Sequence, residues 1–344
     1  MKLPLLYVKQ TITRAWWHLP LTRENKERVK DVLFTLIPVI FRHSKVYRNW
    51  KEARKWTIGI EQRLAMEPEG RVRKIDSASF SALKYQPEPP PPEPIAKVAV
   101  IVHVFHFEIF LEIMENFQNK DAPNLGFFIT CPIEMCDMVT TYFKRKSYDY
   151  QVMPVDNRGR DILPFLKVIP QVFSSGYQVI LKIHTKKSNH RRTGELWRKD
   201  LYNKLLRDET IDKILDIFNK NPTVGLIGAQ GHIVPMNLYY GANAARIELL
   251  SREMGVASTE LMTMHFPAGS MFYVRKQALY PLLNLDLKSE DFDEETGQLD
   301  GTLAHAVERA FAISAHAAGY KLADTSFKPE IPALQVTKDH PFTY

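Results

Sequence analysis

Short apolar runs alternate with longer amphipathic stretches from residue 97 onward. Apolar runs of about four to eight residues are typical of buried strands, whereas apolar positions three and four residues apart are typical of helices. The pattern predicts strands at residues 98–104, 126–130, 150–155, 178–183, 224–228 and 270–274. It predicts helices at residues 108–119, 135–143, 161–173, 194–220 (two helices), 242–254 and 301–318. Because strands and helices alternate, we expect an α/β fold with a mostly parallel sheet flanked by helices.

The region before residue 97 follows a different pattern. Basic residues are interleaved with apolar ones, and residues 1–74 contain 17 Lys or Arg but only 7 Asp or Glu. A proline-rich run at 87–94 favours polyproline II and so a stiff spacer, with a ligand for an aromatic groove as the alternative. The predicted organisation is a basic amphipathic helical leader, a linker, an α/β domain and a tail, at residues 1–75, 76–96, 97–328 and 329–344.

The charge distribution indicates which partners the leader could have. The formal net charge of +7 arises in the leader, which also holds four of the five tryptophans. Lys and Arg mixed with Trp suit an anionic membrane surface, and ordinary helical packing is the alternative. Nucleic acid is not an expected partner, because the sequence has no zinc-finger, basic-zipper or RNA-recognition signature. We therefore expect a cytoplasmic protein that lies peripherally on the inner face of the cell membrane.

Several classes of protein are excluded at this stage. No apolar run reaches the roughly 18 to 20 residues of a transmembrane helix. The longest run, at 32–41, contains Pro38 and lies too far from the start to be a cleaved signal peptide. Cys131 and Cys136 are the only cysteines, so neither a disulfide framework nor a structural zinc site is predicted. This cysteine content fits a reducing compartment.

Polar and basic groups follow two neighbouring strands of the predicted sheet. The third strand is followed, before its helix, by Asn157, Arg158, Gly159, Arg160 and Asp161. The fourth strand ends in His184-Thr185-Lys186. Open α/β sheets bind ligands at the carboxyl ends of their strands, and convergent Lys and Arg side chains suit phosphate groups. The two segments predict a site for a phosphorylated, nucleotide-linked ligand, with a solvated basic loop as the alternative.

Two further segments lie near the later strands. The run at 266–272 contains Gly269 and Ser270, and small residues allow a backbone to approach an acceptor or a sugar closely. A plain turn before a buried strand is the alternative. The acidic run at 289–295 is predicted to be a solvated loop, from which one carboxylate could still reach a sugar.

The run at 298–309 leads into the last predicted helix. Asp300 stands at the start of this helix, where Asp is a frequent N-cap. His305 and Glu308 follow within its first turns and are candidates for the acceptor or sugar pocket. Pairing of Glu308 and Arg309 with neighbouring residues is the alternative.

Four of these runs resemble those of the rhamnan synthesis protein F family: "NRGRDILPFL", "LKIHTKKS", "FPAGSMF" and "QLDGTLAHAVER". The resemblance covers residues 97–325, and the order of the runs is similar to that of GT-A glycosyltransferases, including rhamnosyltransferases. It implies a GT-A-like fold and an enzyme that moves a sugar, rhamnose by this resemblance, from a nucleotide-diphosphate donor. The implied acceptor is a growing lipid-linked polysaccharide of O-antigen or capsule type.

The resemblance also implies roles for single residues. In GT-A enzymes an Asp at the position of Asp300 is the general base, which would imply inverting displacement. Those enzymes hold a metal on an Asp-x-Asp where this chain has His184-Thr185-Lys186, and a lysine cannot bind a hard cation. We therefore expect no metal cofactor, with Lys186, Arg158 and Arg160 neutralising the diphosphate. His184 is either a ligand or is hydrogen-bonded to a backbone carbonyl. A non-catalytic subunit that binds a sugar nucleotide or a glycan is the alternative to an enzyme.

Overall fold

The computed structural model describes residues 94–117, 124–185, 194–298 and 300–327, together with 84–86 and parts of 29–51. The chain divides into two compact units after residue 48. In the first unit, helix α1 (Pro38–Phe41) is described, and the buried ring of Phe34 packs edge-on against the ring of Tyr47. Most of the predicted leader, the proline-rich run and the whole predicted tail lie outside the described residues.

The described part of the second unit is built on nine strands. In chain order they are β1 (Val98–His103), β2 (Leu125–Cys131), β3 (Asp149–Pro154), β4 (Val179–His184), β5 (Val224–Gly228), β6 (Ile233–Pro235), β7 (His265–Pro267), β8 (Phe272–Arg275) and β9 (Lys321–Asp324). Seven of them form one sheet in the order β3-β2-β1-β4-β8-β5-β9. Strands β6 and β7 form a separate antiparallel pair.

The main sheet is mostly parallel. Strand β1 pairs in parallel with β2 and with β4, β2 pairs in parallel with β3, and β5 with β9. Strand β8 lies antiparallel between β4 and β5. The predicted mostly parallel α/β sheet is confirmed. Its one antiparallel strand could not be foreseen, because side chains alternate between the two faces whichever way a strand runs.

Helices cover both faces of the sheet. They are α2 (Phe107–Glu115), α3 (Cys136–Phe143), α4 (Ile162–Ser174), α5 (Gly194–Leu205), α6 (Asp208–Lys220), α7 (Ala244–Glu253), α8 (Ser258–Leu261), α9 (Tyr280–Leu283) and α10 (Leu303–Ala317). Short 3₁₀ helices lie at Ile133–Met135, Met236–Leu238, Gly241–Asn243, Lys276–Leu279 and Ser289–Asp291. Among the described residues, no helix is both long enough and apolar enough to cross a lipid bilayer.

The two faces of the sheet belong to two hydrophobic cores. Ala99 and Ile101 of β1 pack into the core shared with α4, α7 and α10, whereas Val98, Val100 and Val102 pack into the core shared with α2, α3, α5 and α6. Because both faces are buried, β1 is apolar at every position from 98 to 102 instead of alternating with polar residues.

The boundaries of several elements differ from the predicted ones. Strand β8 begins two residues later than predicted, because Gly269 and Ser270 form a turn with left-handed φ values of 91° and 57°. Strands β6, β7 and β9 were not predicted. Each has only three or four residues, which is too short for a periodic pattern to emerge.

Two residues of the predicted linker are attached to the α/β domain. The backbone N–H and C=O of Tyr85 both bond the side chain of Asn284, each at 2.9 Å. The N–H and C=O of Ile95 bond the side chain of Asn219 at 2.7 and 3.0 Å. The ring of Tyr85 also stacks on the ring of Tyr280, with centroids 5.5 Å apart. The chain is therefore hydrogen-bonded to the domain on both sides of the proline-rich run.

Candidate functional site

A cleft opens at the carboxyl end of β4, beside the first turns of α4 and α10. It spans about 420 Å³ of space, part of which is open solvent. Seven of the predicted site residues line it: Arg160, Asp161, His184, Gly269, Ser270, His305 and Glu308. Ile162, Ala304 and Trp197 also line the cleft. Segments that are far apart in the chain therefore meet at one place, as expected for the carboxyl ends of parallel strands.

Two helices begin at the wall of the cleft. Asp161 stands at the N-cap of the 13-residue helix α4. Thr302 is the N-cap of the 15-residue helix α10, and its Oγ1 accepts the backbone N–H of His305 at 3.4 Å. The first N–H groups of α4, those of Ile162 and Leu163, already donate to the backbone O of Gly159, and the N–H of Leu303 in α10 donates to Asp293. The N-terminus of a helix carries a partial positive charge, which favours anions. Both helices therefore direct a positive field toward the cleft.

Lys182 lies beneath the cleft and connects two of its walls. Its side chain is only 1% exposed, because it stands in the middle of the fully buried, otherwise apolar strand β4. The ammonium Nζ donates to Asp161 Oδ2 at 2.5 Å and to the Oγ and backbone O of Ser270 at 2.8 and 2.9 Å. Burial lowers the pKa of Lys182, and the Asp161 carboxylate opposes this shift. All three ammonium protons thus have acceptors, as a buried lysine requires.

Sequence reasoning missed Lys182. The signal was present, since a single charged residue inside an otherwise apolar, fully buried strand must have polar partners. Its partners are 21 and 88 residues away in the chain, so local patterns could not identify them.

The turn at Gly269 is held from two sides. Nε2 of His184 lies 2.9 Å from the backbone O of Gly269, and because a carbonyl only accepts, this nitrogen must carry a proton. The N–H of Gly269 donates to Glu308 Oε1 at 2.8 Å. His184 therefore bonds a backbone carbonyl, one of its two predicted roles, and Glu308 binds a backbone amide. Both side chains also line the cleft.

Residues 84–320 match the model of the rhamnan synthesis protein F family. The chain belongs to this family. It is also 31% identical over 305 residues to the uncharacterized protein WxcX of two Xanthomonas campestris pv. campestris strains, B100 and ATCC 33913. The match covers 88% of this chain but 42% of each relative, so the chain spans less than half of their length.

The chain also has a similarity to a solved structure. This structure is the mannosyltransferase PcManGT from Pyrobaculum calidifontis in complex with GDP-Man and Mn²⁺. The two chains are 12% identical, with a TM-score of 0.32 over 79% of this chain and 60% of the other.

Within this family member, the two predicted diphosphate-binding arginines contact the segment at 292–298. Arg158 donates through Nε and Nη2 to the backbone O of Phe292 at 2.9 and 2.8 Å. Arg160 donates to the backbone O of Gln298, and its Nε lies 3.6 Å from Glu295 Oε2. Arg160 lines the cleft whereas Arg158 does not. The geometry therefore favours Arg160 as the residue that could meet a phosphate.

Gly159 and Asn157 lie close to Arg160 in the chain but do not line the cleft. Gly159 has a left-handed φ of 66°, and a Cβ there would come within 2.6 Å of Leu163 Cβ, so only glycine fits. Asn157 is exposed and does not line the cleft. Gly159 thus shapes the turn that leads Arg160 to the cleft.

The acidic run at 289–295 differs from the predicted solvated loop. Asp293 forms a bidentate ion pair with the fully buried Arg246, at 2.7 and 3.1 Å, and accepts the N–H of Leu303 at 2.8 Å. Asp291 is buried and accepts the N–H of Lys288 at 2.8 Å. The prediction is wrong for these two residues. Asp293 meets donors from distant segments that come together only on folding, and Asp291 bonds the local backbone in a short buried turn.

Asp300, the predicted base, does not line the cleft. Its Oδ2 accepts the N–H of Ala242 at 3.0 Å, and its Oδ1 accepts Nδ2 of Asn243 at 2.5 Å. Burial acts to raise the pKa of Asp300, but His305, these hydrogen bonds and Arg309 outweigh it and hold the pKa below its ordinary value. Asp300 is thus ionised at neutral pH and holds the loop before α7. Its role as a base stays a prediction.

A further histidine near the cleft, His103, was not predicted as a site residue. It lies at the carboxyl end of β1, directly opposite His184 of β4. Its Nδ1 is 3.1 Å from Thr130 Oγ1. Burial lowers the pKa of His103 to about 4, the charges of His184 and Lys182 add to the shift, and Asp161 opposes it. His103 is therefore neutral at physiological pH.

The donor groups of the cleft do not suit a divalent cation. Its two carboxylates are both engaged, Asp161 with Lys182 and Glu308 with Gly269 and with Arg309 Nη1 at 2.8 Å. Within the described ranges, no three His, Cys, Asp or Glu side chains are grouped as metal ligands. Lys186, the predicted substitute for the metal, lies outside the described residues.

Proposed function

We propose that this chain is a GT-A-type glycosyltransferase. In this proposal it transfers a sugar, rhamnose in the first instance, from a nucleotide-diphosphate donor to a growing lipid-linked cell-surface polysaccharide. The cleft carries the proposal, because it combines two helix N-termini, the Arg160 guanidinium, ring nitrogens, carboxylates and an indole. Membership of the rhamnan synthesis protein F family supports the same chemistry.

The diphosphate is proposed to bind at the N-termini of α4 and α10 beside Arg160. The partial positive charges of the two helix N-termini attract phosphate oxygens, and the Arg160 guanidinium can form charge-assisted hydrogen bonds with them. Lys186 is proposed as a further cation, since it directly follows Thr185, whose N–H donates to the backbone O of His103 at 3.0 Å. These groups would stabilise the charge that develops on the leaving diphosphate.

A carboxylate is proposed to take the proton of the acceptor hydroxyl, as inverting transfer requires. Asp300 is the candidate from family resemblance, and Glu308 is the carboxylate of α10 that lines the cleft. Turnover of Asp300→Asn and Glu308→Gln separates the two. If Asp300→Asn folds and keeps nearly full turnover while Glu308→Gln does not, the base is Glu308.

The proposed reaction does not need a divalent cation. Cationic and N–H groups of the protein would do the work that a metal does in other transferases. Activity should survive treatment with EDTA. If activity disappears in EDTA and returns with Mn²⁺, metal independence is wrong.

A non-catalytic subunit that binds a sugar nucleotide or a glycan is the second candidate, favoured by the engagement of both cleft carboxylates. An assay of nucleotide sugars with a lipid-linked oligosaccharide acceptor distinguishes the two. Loss of turnover in both Arg160→Ala and Asp300→Asn supports the enzyme. Donor binding without turnover in the unaltered protein supports the binding subunit.

The leader is proposed to attach the protein to the inner face of the cell membrane. Its excess of Lys and Arg, mixed with Trp, supports contact with anionic lipid headgroups. The full-length protein should float with anionic liposomes, and a chain that begins at residue 76 should not. If the full-length protein does not float, the membrane proposal fails.

A further inference from the structure

The indole of Trp197 is an aromatic surface in a cleft that both polar and apolar residues line. Trp197 lies in the first turn of α5 and lines the cleft opposite α10. Its six-membered ring lies so close to Gly269 that a Cβ at residue 269 would overlap Trp197 Cη2 and Cζ2. The absence of a side chain at Gly269 therefore makes room for the indole at the edge of the cleft.

A buried histidine that is paired with a partly exposed aspartate contacts the indole. The ring of His232, which is only 1% exposed, lies edge-on to the ring of Trp197 with centroids 6.0 Å apart. Nε2 of His232 is 2.6 Å from Oδ2 of Asp200, which lies one turn after Trp197 on the same helix. Asp200 also accepts from Lys204 at 2.6 Å. Burial acts to raise the pKa of Asp200, but its bonds with His232 and Lys204 outweigh burial and lower that pKa.

The groups around the indole match one class of ligand. A pyranose ring has an apolar face of C–H groups and a rim of hydroxyls, so it is recognised by a flat aromatic ring together with paired hydrogen-bond donors and acceptors. The cleft provides the indole and, around it, the carboxylates of Asp161 and Glu308, the Ser270 hydroxyl and the ring of His305. A nucleobase could also stack on an indole, but it has no rim of hydroxyl groups to bond the polar groups around the indole.

We infer that Trp197 is the platform for the pyranose ring of the donor, and that His232 is the residue that positions the indole. This inference rests on the proposed function and adds to it the place and mode of sugar recognition. It predicts that Trp197 strengthens binding of a nucleotide sugar but not of the nucleoside diphosphate alone.

Calorimetric titrations test the inference. The full-length protein is titrated with UDP, dTDP and GDP, and with the hexose and 6-deoxyhexose derivatives of each. For the preferred nucleotide, the sugar should tighten binding by about threefold to tenfold. Trp197→Leu should abolish this increment and leave the affinity for the nucleoside diphosphate unchanged. Trp197→Tyr should restore most of it, and His232→Ala should reduce it.

A matched control comes from the same helix. Leu196→Ala changes a side chain that is 63% exposed and does not line the cleft, so it should keep the full increment. A fluorescence titration covers the case in which Trp197→Leu does not fold. The emission of Trp197 is the difference between the emission of the unaltered protein and that of Trp197→Phe. Addition of nucleotide sugar should change this difference, and addition of nucleoside diphosphate should not.

Two results would overturn the inference. If Trp197→Leu keeps the sugar increment, or loses affinity equally for the nucleoside diphosphate and its sugar derivative, Trp197 is not the pyranose platform, while the proposed function stands. If the unaltered protein binds none of these compounds, the proposed function itself is wrong and the inference falls with it.

Discussion

At the scale of the residue, the cleft depends on charged groups that are paired below its surface. Lys182 connects the start of α4, through Asp161, to the turn at Ser270. A buried ion pair adds little to stability compared with apolar residues of the same volume, but removal of one partner leaves an uncompensated charge. Lys182 therefore matters most for the position of the Asp161 carboxylate and of the Ser270 hydroxyl.

Lys182→Met should lower the free energy of unfolding by about 3 to 5 kcal/mol, because Asp161 then loses its cation. Urea unfolding measures this change, and the double variant Lys182→Met/Asp161→Asn should recover part of the loss. The matched control is Lys199→Met, which breaks an exposed ion pair with Glu195 and should cost much less. A loss at Lys182 no larger than that of the control would contradict the prediction.

His103 should make stability depend on pH. Burial lowers its pKa from 6.5 to about 4, so the unfolded chain takes up this proton at a higher pH than the folded protein does. The contribution of His103 to stability is therefore complete above pH 6.5 and is lost as the pH falls from 6.5 to about 4. In His103→Asn, which can still bond Thr130, the free energy of unfolding should decline less over this interval.

Urea unfolding at a series of pH values measures the effect of His103. His316→Asn is the control, because His316 is exposed on α10 and only pairs with the exposed Glu260 at 2.8 Å. Its profile should follow that of the unaltered protein. The prediction fails if His103→Asn shows the same decline as the control.

At the scale of the element, the walls of the cleft are the starts of two helices and one tight turn. Helices α4 and α10 begin where their N-caps meet the cleft, and the turn before β8 uses left-handed φ values at Gly269 and Ser270. His184 and Glu308 hold this turn through its backbone C=O and N–H. The turn is thus fixed by backbone contacts, which any change at Gly269 would disturb.

Gly269→Ala should be more costly than an equivalent change elsewhere. Any residue with a Cβ is strained at the φ of 91° found at Gly269, and the added Cβ would also overlap the indole of Trp197. Gly176 has a similar φ of 82° but nothing within 4 Å of its Cβ position, so Gly176→Ala measures the backbone strain alone. We expect Gly269→Ala to lower the free energy of unfolding by about 1 to 3 kcal/mol more than Gly176→Ala does.

Thermal or urea unfolding of both glycine variants gives the comparison. Trp197 emission should also change in Gly269→Ala and not in Gly176→Ala, since only the first displaces the indole. Equal costs for the two variants would show that the indole moves freely and does not depend on Gly269.

At the scale of the whole molecule, the chain before β1 helps to enclose the domain. Tyr85 lies beside α4 and α9, on one face of the sheet, where its backbone bonds Asn284 and its ring stacks on Tyr280. Ile95 belongs to the core on the other face and is fastened to α6 through Asn219. The family match begins at residue 84, directly before the first of these contacts. The end of the predicted linker is thus attached to the domain.

Asn284→Ala and Asn219→Ala should each lower the free energy of unfolding by about 1 to 3 kcal/mol, because each leaves one backbone N–H and one C=O without their partner. The two sites share no residue, so their costs should add in the double variant. Asn221→Ala, whose side chain bonds only the end of its own helix at Ile217, is the control and should cost less. Unfolding in urea measures all four proteins, and no loss in the double variant would contradict the attachment.

The sequence alone was sufficient for most of the longer elements and for most of the residues that line the cleft. Hydrophobic periodicity is a local property, so it located the strands from β1 to β5 and the helices between them within a few residues. The position of polar groups after β3 and β4 predicted Arg160, Asp161 and His184 at the cleft, because carboxyl ends of parallel strands meet at one edge. The runs themselves also identified the family.

Only the tertiary structure decided which groups pair with which. Strand β8 lies antiparallel between β4 and β5, and this brings Ser270 to Lys182 across 88 residues. Arg158 meets the backbone of Phe292 across 134 residues, so its guanidinium binds the protein instead of lining the cleft. Local periodicity states which face of an element is buried, but not what covers that face. That choice depends on how all the elements pack together, and so it is made only in the folded chain.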